Sequence, residues 1–159
     1  MESRAPAKKK TAKKSAKKQP RTVIGWCEWA AFPDLGVENI NAKIDTGAKT
    51  SAIHAYRIKE VEIDGEPHAE FYLHPEQRRK KPEIFCRTPI IDRRLIRSSN
   101  GQEEERFVTQ TRLRLGDHLW KIDLTLTNRD AMGFRLLIGR DALSRKFMID
   151  PGASYLLGD

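Results

Sequence analysis

Long hydrophobic runs are missing from this sequence. No window approaches the ~18 apolar residues that a membrane-spanning helix needs. The basic N-terminus has no apolar segment behind it, which excludes the pattern of a secretory signal. Cysteine is scarce: only Cys27 and Cys86 occur, too far apart to form a metal-type pair. A disulfide between them stays open, but nothing else suggests an oxidising compartment. The four histidines, His54, His68, His74 and His118, form no His-Glu-x-x-His motif. His68 and His74, six apart, fall on one face of a strand, yet each histidine reads as a surface or half-buried side chain. A glycine-rich phosphate loop is also lacking. The expectation is a soluble cytoplasmic protein with no membrane, metal or cofactor requirement.

Charge is present but unevenly placed. Residues 1–21 hold seven Lys and two Arg against one Glu, a net +8, which is the net charge of all 159 residues. Residues 22–159 are therefore balanced. A Lys/Ala/Pro segment buries no apolar surface and is expected to be a disordered tail. It reads either as a salt-sensitive tether to a polyanion such as RNA or as a solvated solubility tail.

Residues 22–159 read as one mainly β domain, a small barrel or sandwich with one short C-terminal helix. "TVIGWCEWAAF" is a first strand, Pro33 to Gly36 a turn, and "INAKI" a strand. "SAIHAYRIKEVEI" continues extended to a hairpin at Asp64-Gly65, and "HAEFYLH" returns. Residues 75–106 are dense in charge and are expected to form exposed excursions rather than core. "RFVTQTRLRLGDHLWKIDLTLT" alternates on both sides of a turn at Gly116-Asp117. "FRLLIG" is a short buried strand, "RDALSRKF" the helix, and "MIDPGASYLL" a turn with a final strand.

Two short stretches carry the chemistry. Ile44-Asp45-Thr46-Gly47-Ala48 ends an alternating run on a carboxylate, a hydroxyl and a glycine. "LLIGRDAL", Leu136 to Leu143, follows almost ninety residues later. Singly each is weak, since Asp-Thr-Gly suits many turns. In this order within a β domain the pair resembles the retropepsin-like aspartic proteases, the family of the retroviral enzymes. "AKIDTGAKTSAIHA", "SSNGQEEER", "LTNRDAMGF" and "LLIGRDAL" together resemble one bacterial branch, labelled an ATP-dependent zinc protease. Neither word of that label has support in these residues. The branch is linked to an ATP-grasp ligase that adds glutamates to a ribosomal protein.

The resemblance implies a retropepsin-like closed β-barrel and peptide hydrolysis by water. Two close carboxylates sharing one proton supply the base and the acid, because both cannot ionise at that range. The chain has a single Asp-Thr-Gly, so the second Asp45 is expected from a second copy across a two-fold axis. Thr46 would then hydrogen-bond across that axis, and Gly47 would offer its carbonyl to the substrate backbone. Asp141 is the alternative second acid, and capping or an ion pair with Arg140 is its simpler role.

Where the retroviral enzymes carry an acid two residues past the glycine, this chain has Lys49, which cannot pair with Arg140. Both are then expected to face an acidic substrate, unless Lys49 finds Asp141. The flap is expected within residues 75–106, its tip at Ser98-Ser99-Asn100-Gly101. Arg93, Arg94, Arg97 and Arg106 flank it, suited to carboxylates unless Glu103, Glu104 and Glu105 neutralise them. The expected substrate-binding set is thus Ala48, Lys49, Ser98, Ser99, Asn100, Gly101, Arg106 and Arg140. An acidic, glutamate-rich peptide is the expected substrate. The rivals are a catalytically inactive module binding acidic peptides or a ligase partner, and a protein whose tail on RNA does the work.

Overall fold

The computed structural model describes residues 20–75, 83–97, 101–128 and 133–158. The basic segment over residues 1–19 and the flap-tip residues Ser98, Ser99 and Asn100 lie outside them.

The chain is mainly β. Its strands are β1 (Thr22–Ile24), β2 (Cys27–Phe32), β3 (Val37–Asp45), β4 (Ser51–His54), β5 (Tyr56–Ile63) and β6 (Glu66–Leu73). They continue as β7 (Ile84–Pro89), β8 (Asp92–Arg97), β9 (Glu103–Leu115), β10 (His118–Thr127) and β11 (Leu136–Gly139). One helical turn, α1 (Arg140–Leu143), precedes β12 (Phe147–Ile149). The largest sheet runs β10-β4-β11-β3-β2-β9-β8, and β9 also pairs with β10, so six strands close in a ring. Alternation builds its interior: Phe32, Ile40, Ile53, Leu113, Leu124, Leu136 and Ile138 all point inward and are fully buried. Each such side chain removed from water contributes roughly 1.5–3 kcal/mol.

Both hairpin turns fall where the residues place them. Ile63 faces Glu66 across Asp64-Gly65, with φ of 52° and 80° at the two turn residues. That left-handed pair is what a two-residue turn between twisted strands requires, and glycine adopts it without steric cost. Leu115 faces His118 across Gly116-Asp117.

Four expectations need correction. The first strand is two, broken where Gly25 passes Ala153 so closely that a Cβ would lie 2.3 Å from its carbonyl oxygen. "SAIHAYRIKEVEI" divides between the ring (β4) and a separate three-stranded sheet, β5-β6-β7. The charged 75–106 stretch is not all excursion, because β7 buries Cys86 and Thr88 and pairs with β6 along its length. The last strand, β12, precedes the Asp150–Gly152 turn and pairs in parallel with β1. After that turn the chain is held without a ladder.

Glu28 does much of that holding. It is fully buried, and its carboxylate accepts from the backbone N–H groups of Gly25 (2.7 Å), Leu156 (2.9 Å) and Leu157 (3.1 Å). A buried carboxylate is costly unless it is hydrogen-bonded in this way. Trp29 stacks on Tyr155, and Tyr155 in turn bonds Asn41, closing the C-terminal segment over β2 and β3.

The cysteines are free and buried, which closes the question of a disulfide. Burial pushes the Cys86 thiol up from 9.0 to about 12. A raised pKa stabilises the fold while the thiol stays protonated, and that contribution is lost as pH climbs from 9 toward 12. An aromatic disulfide reagent at pH 8 should therefore leave the Cys86 thiol untouched in the native chain and titrate it after unfolding in guanidinium. Glu28→Ala orphans one buried and two part-buried N–H groups and should lower stability by about 3 kcal/mol in urea titrations.

Candidate active site

Asp45 closes β3 and stands half-buried at the lip of a tight loop, with Thr46 and Gly47 exposed beyond it. Its carboxylate folds back on its own loop: Gly47 N–H donates to Asp45 Oδ1 at 3.1 Å, and Ala48 N–H to the Asp45 carbonyl at 3.2 Å. This is the local bond that makes Asp a turn residue, and it orients one carboxylate oxygen.

The second motif holds this loop in place. β11 runs parallel to β3 in a register that sets Gly139 beside Asp45 and Ile138 beside Ile44. From there Arg140 N–H donates to the Ala48 carbonyl (2.9 Å) and Asp141 N–H to that of Lys49 (3.1 Å). Gly139 N–H donates to Ser51 Oγ at 3.0 Å. The Arg140 guanidinium then reaches over the loop to the carbonyls of Thr46 and Gly47, each at 3.3 Å. The two stretches nearly ninety residues apart are thus one rigid unit.

Several expected roles change at this distance. Lys49 does find Asp141, Nζ to Oδ2 at 2.7 Å, so neither Lys49 nor Asp141 stands unengaged. Asp141 pairs with Lys49 rather than Arg140. The pair is more than half exposed, so its net contribution lies below ~1 kcal/mol. Arg140 spends its reach on loop carbonyls, including that of Gly47, which was expected to face substrate.

The β8–β9 hairpin occupies the expected flap region, Arg97 facing Glu103 at its described end and Gly101 beyond with φ of 86°. Arg93, Arg94 and Arg106 are engaged. Arg93 forms a bidentate bond to Glu60, and Arg106 donates to Glu104 at 2.9 Å. Those partners hold the Glu60 carboxyl below its ordinary range and raise Arg93. Arg94, expected to flank the flap and suit a substrate carboxylate, instead joins hairpin to loop by donating to Thr50 Oγ1 at 2.7 Å and pairs with Asp92 at 3.3 Å. Ser51, which anchors Gly139, was missed; a serine two residues past a lysine carries no distinctive signal.

A hollow of about 260 Å³ opens beside the loop, lined by Thr50, Ser51, Trp120, Asp141 and Lys146, and Asp45 is not among its lining residues. Among the described residues no three His, Cys, Asp or Glu side chains gather to hold a metal ion. No helix among them is long and apolar enough to cross a membrane.

Comparison with known proteins agrees with this geometry. Residues 23–158 match the RimB-like family, described as retropepsin-like aspartic endopeptidase RimB. The chain belongs to this family. It is also 50% identical over 136 residues to a probable alpha-L-glutamate ligase of Shewanella halifaxensis (strain HAW-EB4). A protein of the same name from Desulfotalea psychrophila (strain LSv54 / DSM 12343) is 45% identical over 139 residues. These matches take in 86% and 87% of the chain but only 30% of either relative. A crystallised Legionella pneumophila protein of unknown function matches the RimB-like fold here with a TM-score of 0.72 and 27% identity. That match covers 87% of this chain and 99% of the other.

A Cβ at position 139 would lie 2.7 Å from the Thr50 carbonyl carbon and 2.9 Å from the Lys49 oxygen, both backbone atoms that cannot swing aside. Gly139→Ala should accordingly cost about 2–3 kcal/mol and displace the Asp45 loop. Thermal unfolding and the amide shifts of Thr46 and Gly47 would read the two effects separately.

Proposed function

We propose that this chain is one protomer of a homodimeric aspartic peptidase in which Asp45 from each copy forms the catalytic pair. The observation that carries the reading is the fixed Asp45 loop, cross-braced by Gly139, Arg140 and Asp141, with the carboxylate presented at its lip. One carboxylate takes a proton from water as the oxygen attacks the scissile carbonyl, and its protonated twin then gives its proton to the leaving amine. A single chain supplies half of this, so the second copy completes the site. Val23 and Met148 support self-association, because they face each other in the β1–β12 ladder and are 47% and 56% exposed. Thr46, exposed beside Asp45, would lie at the same two-fold axis.

The substrate class we infer is a glutamate-rich peptide. Relatives named as glutamate ligases carry this same domain within a chain about three times longer, which suits a hydrolase acting on what such a ligase extends. Lys49, Arg93 and Arg106 are cations whose present partners are surface carboxylates, and a substrate carboxylate can take the place of each. A cytoplasmic location goes with this reading.

The same relatives also favour a second reading, a non-catalytic module that holds acidic peptide or a ligase. Mass spectrometry of oligoglutamate-tailed peptides separates the two, run with wild type and Asp45→Asn, each with and without chelator. Cleavage that falls about 10³-fold in the variant and survives chelation supports the peptidase. Binding without cleavage supports the module, and cleavage lost only to chelator removes Asp45 from the reaction.

A further inference from the structure

The sheet β5-β6-β7 is separate from the ring that carries the Asp45 loop, and its outer face is built in rows. Direct cross-strand register places Tyr56 opposite Tyr72 and Tyr72 opposite Phe85, one ring from each strand. Ring centroids are 5.7 and 5.2 Å apart along this row, and His74 extends it by stacking on Tyr56 at 4.4 Å. The packing duties of the sheet belong to its other face, where Ala69, Phe71, Leu73 and Cys86 are buried. Phe85 is 47% exposed, and an uncovered ring there costs free energy with no return from the core.

Cations frame the row. Arg57 sits over the rings of Tyr56 and Tyr72 at 6.0 and 5.6 Å, and Arg87 over Phe85 at 5.8 Å. Arg57 is held there by a left-handed backbone, φ 52°, at the register shift between Tyr56 and Lys59. A non-glycine residue in that region is strained, and such strain is characteristic of binding sites. Two carboxylates oppose the cations: Glu70 pairs with Arg87 and Lys59, and Glu83 accepts from the Tyr56 hydroxyl. Both engage a hydroxyl or a cation rather than a ring face.

We propose that this aromatic row is a stacking platform for unpaired nucleotides, and that the ligand is single-stranded RNA. Three rings on adjacent strands with flanking guanidinium groups suit bases splayed from a strand, because every base has a π-face while each phosphate needs a cation. The partner's charge is given by the chain itself. Residues 1–21 carry +8 and the remainder none, so a polyanion is the complementary occupant. The lysines would supply sequence-independent, salt-dependent attraction, and the row would supply the contact that prefers single strands. The proposal is independent of peptide cleavage, and Asp45→Asn should bind RNA as the wild type does.

Fluorescence anisotropy of a labelled oligouridylate, titrated with the full chain at several salt concentrations, tests it. Phe85→Ala and Tyr72→Ala should each weaken binding about tenfold without changing the salt slope, and Phe85→Trp should restore it. A full-length variant with Lys8, Lys9 and Lys10 changed to Gln should flatten the salt slope instead. Phe85 is exposed, so its truncation leaves the fold intact, and circular dichroism checks each variant. Unchanged affinity in Phe85→Ala would overturn the platform and leave the lysines as the only attachment. Equal affinity for a duplex of the same length would overturn it too. So would an oligoglutamate peptide that loses affinity in Phe85→Ala while the uridylate does not, since the face would then bind protein.

Discussion

The parallel register of β3 and β11 is the constraint on which the site depends. Parallel neighbours cannot be joined by a tight turn, so Asp45 and Gly139 meet only after the chain has built everything between them. The ring closes because β9 pairs with both β2 and β10, and β10 then carries β4 alongside β11. Each of those pairings must be in place for Ile138 to lie beside Ile44. A slip of one residue would reverse every inward side chain and move the Gly139 N–H from Ser51. Gly139 is glycine because backbone passes backbone there with no room for a Cβ, and this closeness lets Arg140 bond across the loop.

A second constraint sits opposite. The Glu28 carboxylate gathers N–H groups from Gly25 and from Leu156 and Leu157, some 130 residues downstream. Trp26 lies at the junction, since its carbonyl accepts from Ile44 N–H and its own N–H donates to Ala153. The buried charge at Glu28 therefore fixes the start of the chain's fold, its C-terminal segment and the base of the Asp45 loop together. Truncation at Glu28 would reach the Asp45 loop through Trp26 and Ile44 without touching Asp45 itself.

Much of this was legible before any coordinates. Strict alternation in "RLRLGDHLWKIDL" fixes β9, its turn and β10, because period two exists only where one face is buried. Asp45 and the Gly139-Arg140 pair were visible because "IDTGA" and "LLIGRDAL", in that order, resemble the paired motifs of the retropepsin-like family. What stayed hidden was tertiary. β7 is a short apolar stretch set inside a densely charged region, so the charge around it masked a strand whose inward side is only Cys86 and Thr88. Glu28 reads as one more surface acid in a strand; nothing local announces that a distant segment will bring it two N–H donors. The Lys49–Asp141 pair depends on where α1 begins, which the parallel ladder sets rather than the helix's own four residues.

That last pair bears on what an acidic substrate would meet. Residues 22–159 carry no net charge, so long-range steering by that part of the chain is weak, and recognition must be local. Lys49, Arg93 and Arg106 already hold Asp141, Glu60 and Glu104. A substrate carboxylate would replace a carboxylate, exchanging like for like, with little net gain from any single exchange between exposed ions. On the proposed reading, a preference for acid would arise from several exchanges made at once along an extended chain, geometrically demanding where the guanidinium is bidentate, as at Arg93. Such a preference is steep in the number of glutamates and fades with salt. A groove with permanently unpaired cations would instead bind any anion, at the cost of holding like charges together when empty. Charge pairing within the apo fold is therefore compatible with acid selectivity, and it favours runs of glutamate over isolated acids.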